Sequence, residues 1–100
     1  PNYDAACFHA QQCAEKDLKA RLQEEGIIFP KTHDLERLLD LLLPLEPTWS
    51  TLRTDLVNLT QDAVEVRYPG TSTTRDDAKE SLRVCKDVRA RIRASLALSP

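Results

Sequence analysis

One hundred residues and 11.3 kDa set the expectation of a single domain over residues 1–100, because a chain of this length encloses only one core. With 41% apolar residues, 30% charged residues and two glycines, the composition excludes a disordered tail and a collagen-like chain. Fourteen Lys and Arg against sixteen Asp and Glu, a balance of −2, exclude the overall basic charge of a nonspecific nucleic-acid binder, and no apolar run, Leu41 to Leu43 included, approaches the roughly 20 residues of a membrane span.

Breaks at Gly26–Pro30, Pro44–Pro47 and Pro69-Gly70 separate four helical stretches. The first, over residues 2–25, carries Tyr3, Cys7, Ala10, Ala14, Leu18 and Leu22 on one stripe, with Gly26 as its C-terminal cap. Asp17 and Arg21 interrupt the neighbouring face and are expected to pair with each other in water. Ile27, Ile28 and Phe29 are expected to tuck under the bundle. The second helix, 33–43, takes Thr32 as N-cap and turns Leu35, Leu38, Leu39, Leu42 and Leu43 inward, while Pro44 biases Leu43 out of helical geometry. A third, 48–66, buries Leu52, Leu56, Leu59, Ala63 and Val66. The fourth, 75–96, starts behind the reciprocal caps Thr74 and Asp77 and buries Ala78, Leu82, Cys85, Val88, Ile92 and Leu96. Period-two alternation and hairpin turns are missing, so the expected fold is all-α, a four-helix antiparallel bundle. Two long helices beside a short one leave apolar surface over, and a homodimer is the expected way to cover it.

Residues able to carry chemistry are few. Cys7, Cys13 and Cys85 are odd in number and form no C-x-x-C, which fits a reduced, cytoplasmic chain with packing thiols. His9 and Cys13 share a helix face at i and i+4, but a bound zinc wants three or four ligands and no third is indicated, so no metal or cofactor is expected. Gln11 and Gln12 read as solvated, with a hydrogen bond across an interface as the alternative. His33, next to Asp34 at a helix start, is either structural or, with Lys16 close by, one side of a phosphate held by unpaired backbone amides. Arg67 and Tyr68 at the turn after the third helix either cap and pack or grip a phosphate and stack on a base, which makes Arg67, Tyr68, His33 and Lys16 the candidate nucleotide-binding set. Arg83, Lys86, Arg89, Arg91 and Arg93 form a solvated basic face near the end of the fourth helix, with an anionic partner as the alternative.

Three segments then support a family. Phe8-His9-Ala10-Gln11-Gln12-Cys13-Ala14-Glu15-Lys16, Lys31-Thr32-His33-Asp34-Leu35 and Val66-Arg67-Tyr68-Pro69, in that order and spacing, resemble the HEPN domain, the "higher eukaryotes and prokaryotes nucleotide-binding" family. The resemblance implies a helical bundle, usually a homodimer, often encoded beside a small nucleotidyltransferase in toxin and antitoxin modules, with some members cutting RNA. The resemblance also implies another helix before the position of Tyr3, for which the sequence as given has no residues. The chain lacks the ribonuclease motif, an Arg followed after four to six residues by His: nothing upstream of His9 is Arg, and Gly26, Ile27 and Ile28 fill the positions that would match His33. The expected function is a noncatalytic dimerisation or interaction module whose partners are a second copy, a nucleotidyltransferase, or a nucleotide or RNA. The alternatives are a ribonuclease toxin with an atypical site, such as His33 with Arg67, and an engineered assembly component re-surfaced at Asp17 and Arg21.

Overall fold

The computed structural model describes the backbone of residues 3–64 and 74–97, and the side chains of all of these but 62–64. The first helix, α1, spans Tyr3–Glu24, and its stripe of Cys7, Ala10, Ala14, Leu18 and Leu22 is buried, with Tyr3 half-buried at the edge. It ends as the sequence predicts. Gly26 adopts φ +68°, its N–H donates to Gln23 O, and the Ile27 N–H donates to Leu22 O, the paired bonds of a Schellman cap. In the loop that follows, Ile27 and Phe29 pack against the core, whereas Ile28 is 93% exposed. The expectation that all three tuck inward fails at Ile28, because neighbours on an extended segment face opposite ways.

Helix α2, Leu35–Leu42, starts two residues later than expected. Asp34, not Thr32, is its N-cap: Asp34 Oδ1 accepts from the Glu36 N–H at 3.1 Å, while Thr32 Oγ1 accepts from the Asp34 N–H and braces the cap from behind. Leu43 stays in helical geometry (φ −56°, ψ −36°) despite Pro44, since its N–H still donates to Leu39 O at 3.0 Å. The expected single third helix begins as a 3-10 segment, Pro47–Leu52, which continues into α3, Arg53–Val64. Pro47 pre-sets the first dihedral, and the tighter winding eclipses side chains three apart, so Trp49 and Leu52 enter the core together. Leu56 and Leu59 extend that face, while the expected burial of Ala63 and Val66 lies outside the described residues.

Helix α4, Arg75–Ala97, opens on the predicted capping pair: Thr74 N–H donates to Asp77 Oδ2 at 3.0 Å, and Asp77 N–H donates to Thr74 Oγ1 at 3.1 Å. Its buried face is Ser81, Val84, Cys85, Val88 and Ile92. Three expected core positions are corrected: Ala78 is half-buried, Leu82 is 50% exposed and Leu96 is 36% exposed. The small side chains of α1 explain the rotation. Cys7 and Ala10 admit Ser81 at close range, where its hydroxyl donates to Cys7 Sγ at 3.3 Å, and this turns Leu82 to the flank.

Helix direction is the second correction. Cross-helix contacts between α1 and α4 keep a constant sequence offset (Ser81 to Cys7, Arg89 to Asp17, Ser95 to Arg21), so the two longest helices run in the same direction, not antiparallel. The loop after Gly26 makes this possible by returning to the level of Gln11, whose side-chain amide donates to His33 O, before α2 starts. Only α3 runs against α4, as the pairs Arg91–Thr51 and Arg83–Asp55 show. Leu18, Leu22, Leu35, Leu38, Leu39, Leu42, Leu52 and Leu56 fill the centre. Each such side chain contributes about 1.5–3 kcal/mol through the apolar area it removes from water.

Charged residues close the bundle's sides. Arg21, expected to pair with Asp17 in water, is instead buried: its Nε donates to Ser95 Oγ at 2.9 Å and its Nη1 to Glu25 Oε1. Asp17 pairs with Arg89. Arg53 bridges Glu36 and Asp40, tying α3 to α2.

Candidate functional site: an apolar groove with a cationic edge

Because α4 turns Ser81 inward, the opposite flank of its first half leaves a groove of about 660 Å³ against the first half of α1. Tyr3, Ala6, Ala10, Ala78 and Leu82 give it an apolar surface, with Cys13 and Cys85 at its inner end. Arg75, Lys79 and Lys86 recur along α4 at the spacing of its turns and stand exposed at one edge. The half-exposed Leu82 is the largest aliphatic side chain there. Leucine, alanines and cations together give this groove an apolar floor with a charged rim.

The inner end holds two thiols and a guanidinium. Arg89 Nη2 donates to Cys13 Sγ at 2.6 Å, and its Nε lies 3.5 Å from Asp17 Oδ2. Cys13 and then Asp17 hold Arg89 more firmly protonated than an ordinary arginine. Burial, reinforced by the neighbouring Cys13, pushes the Cys85 thiol up to about 11. All three cysteines are free thiols, as the sequence suggests.

A second polar cluster lies where the loop crosses α1. Glu15 Oε1 meets His33 Nδ1 at 2.9 Å, and Glu15 Oε2 accepts from Lys19 Nζ at 3.0 Å. The buried Gln11 amide donates to Glu15 and to His33 O, so Gln11 is a structural clamp and not the solvated residue expected. Burial works to raise the Glu15 carboxyl, but the hydrogen bonds from His33, Lys19 and Gln11 prevail and hold it below the usual glutamate range.

The candidate nucleotide-binding residues are therefore divided. His33 is exposed but faces the Glu15 carboxylate, and Lys16 is exposed while Lys19 makes the contact with Glu15. Arg67 and Tyr68 lie outside the described residues. Within the basic run of α4, Arg83 pairs with Glu80 and Asp55, and Arg91 with Asp87. His9 is exposed, with its ring edge-on to Phe8, and among the described residues no three His, Cys, Asp or Glu side chains gather as metal ligands. The groove itself escaped notice in the sequence because Leu82 fits a helical core stripe as well as Val84 does. The one available signal was the alternation of Arg75, Lys79 and Lys86 with Ala78 and Leu82.

Four α-helices, no strand among the described residues, and an apolar cation-edged groove between two parallel helices define an all-helical domain. The family model of the HEPN domain matches residues 1–95, and the chain belongs to the HEPN domain family, which makes it a nucleotide- or RNA-related helical module. No curated protein and no solved structure matched the chain. HEPN domains often dimerise. No helix among the described residues is long and apolar enough to cross a membrane.

Proposed function

We propose that this chain is a noncatalytic HEPN module that works by helix-to-helix association, and that the groove between α1 and α4 receives a second copy of the chain. The observation that carries this reading is the half-exposed Leu82 set among Ala6, Ala10 and Ala78 in a groove of about 660 Å³. A C2 pair, the commonest solution for a helical domain with one surplus apolar face, places Leu82 of each copy against the other's alanines. The absence of Arg at positions 26–28 before His33, and the engagement of His33 by Glu15, support a noncatalytic role. A nucleotidyltransferase remains the partner class that the family resemblance suggests for the assembled dimer.

Light scattering behind size-exclusion chromatography tests the reading. The wild-type chain should run as a dimer and Leu82→Glu as a folded monomer; a monomeric wild type, or a dimer that survives the substitution, overturns it. An RNA cleavage assay accompanies it, in which activity lost on His33→Ala would replace the noncatalytic reading with an enzymatic one.

A nucleotide is the alternative occupant of the groove, supported by the exposed Arg75, Lys79 and Lys86 along its edge, where phosphates would meet cations and a base the apolar surface in place of a second copy. Calorimetry with ATP and GTP on the wild type, on Lys79→Ala and on Arg67→Ala distinguishes this edge from the turn at Arg67 and Tyr68.

A further inference from the structure

The parallel register of α1 and α4 brings Cys85 beside Cys13, although 72 positions separate them in the chain. Three features distinguish this pair from ordinary packing cysteines. Cys13 of α1 and Cys85 of α4 line the same end of the groove, side by side. Cys13 is half-buried and opens on the groove, so a small reagent reaches it from solvent. The Arg89 guanidinium lies 2.6 Å from Cys13 Sγ and is itself anchored by Asp17, which is the electropositive, partly exposed setting in which cysteines become nucleophilic. Cys7, Ala10 and Ala14 of α1 and Ser81 of α4, the buried residues between the two helices, are small. Cys7 is the internal contrast: it is fully buried, hydrogen-bonded by Ser81 and remote from any cation in the contacts it makes.

We propose that Cys13 and Cys85 form an oxidisable dithiol, with Cys13 the peroxide-reactive thiol, Arg89 its activating cation and Cys85 the resolving thiol, so that a hydroperoxide links α1 to α4 by a disulfide. The Cys13 sulfur attacks the peroxide O–O bond: an S–O bond forms, the O–O bond breaks, and the departing oxygen leaves as hydroxide, which takes a proton to become water. Cys13 is then a sulfenic acid. The Cys85 sulfur attacks it, the S–S bond forms as the S–O bond breaks, and the Cys85 proton leaves with the second water. Two thiols are oxidised by two electrons in all, and one hydrogen peroxide is reduced to two waters. Cys85 needs no access to solvent, since its target is the neighbouring sulfur. Both thiols belong to one chain, so the disulfide forms within it; a second copy seated in the groove, as proposed above, covers Cys13, and the reaction is that of the chain with its groove open.

The test is treatment of the folded chain, both as wild type and as Leu82→Glu with its groove open, with hydrogen peroxide, followed by intact mass and peptide mapping. The expected result is loss of two hydrogens and a single cross-link joining the Cys13 and Cys85 peptides, unchanged in Cys7→Ser. In Cys85→Ser the reaction should stop at a Cys13 sulfenic acid trapped by dimedone, and in Arg89→Gln the alkylation of Cys13 by iodoacetamide at neutral pH should slow about tenfold. Circular dichroism establishes that each variant is folded. Oxidation of Cys13 to sulfinic acid with Cys85 left as a thiol, reaction of Cys7 at the same rate as Cys13, a rate unaltered by Arg89→Gln, or no reaction at all would each overturn the proposal.

Discussion

Arg21 and Asp17 stand four apart on one helix and look alike in sequence, yet their environments predict very different costs of removal. The Arg21 side chain is 5% exposed and joins three segments: Glu25 at the end of α1, Ser95 on α4 through Nε, and Glu46 before the 3-10 segment, 3.8 Å from Nη2. Ser95 Oγ in turn donates to Glu46 Oε1 at 2.6 Å, so Arg21→Ala opens a hole in the middle of a connected set. Breaking a fully buried ion pair costs about 3–5 kcal/mol. Glu25 and Glu46 are 33% and 27% exposed, and water reaching them brings the expected loss down to about 2–3 kcal/mol. Asp17→Asn removes only a long, half-exposed contact with Arg89 and should cost less than about 1 kcal/mol. Urea denaturation followed by circular dichroism measures both. With a slope of about 1–1.5 kcal/mol/M, Arg21→Ala should lower the midpoint by about 2 M and Asp17→Asn by well under 1 M. Arg21→Met, which keeps the packed stem, should fall between them. Equal losses for the two single variants, or a loss under about 0.5 kcal/mol for Arg21→Ala, would refute the assignment of Arg21 as a buried tie.

Other substitutions probe single physical causes. Because the folded-state Glu15 carboxyl is held below its unfolded range, the stability it supplies is complete above about pH 4.5 and is lost as pH falls through the lowered folded value; Glu15→Gln should therefore flatten the acid limb of a stability–pH curve while lowering stability at neutral pH. Gly26→Ala meets no atom within 4 Å, so its cost should be the left-handed backbone alone, about 1 kcal/mol by thermal denaturation. Thr60 Oγ1 is a buried hydroxyl without a hydrogen-bond partner among the described residues, and Thr60→Val should stabilise the chain by up to about 1 kcal/mol in the same measurement.

Apolar spacing made the helices legible. It specified the stripe of α1 and the leucines of α2, and local chemistry placed the Gly26 cap and the Thr74–Asp77 pair. What it left open has a physical reason in each case. Periodicity along a helix is the same whichever way its neighbour runs, so the parallel pairing of α1 and α4 left no mark, and the antiparallel arrangement was merely the simpler guess. Ala78, Leu82 and Cys85 form as regular a stripe as Ser81, Val84, Cys85 and Val88; hydrophobicity favours the first, but the narrow space beside Cys7 and Ala10 selects the second. Arg21 follows Leu18 by three positions and so points inward, yet without Ser95 and Glu46 in view nothing distinguished it from a surface charge. The thiol pair and the groove follow from the same parallel register and were hidden with it.

Placing α1 beside α4 has a kinetic corollary. The most extensive interface in the molecule joins segments more than 70 positions apart, so its entropic cost of closure resembles that of a sheet protein more than that of an up-and-down bundle. During synthesis the face of α1 that meets α4 stays exposed until the last quarter of the chain arrives. Refolding should consequently be slower than its helix content suggests.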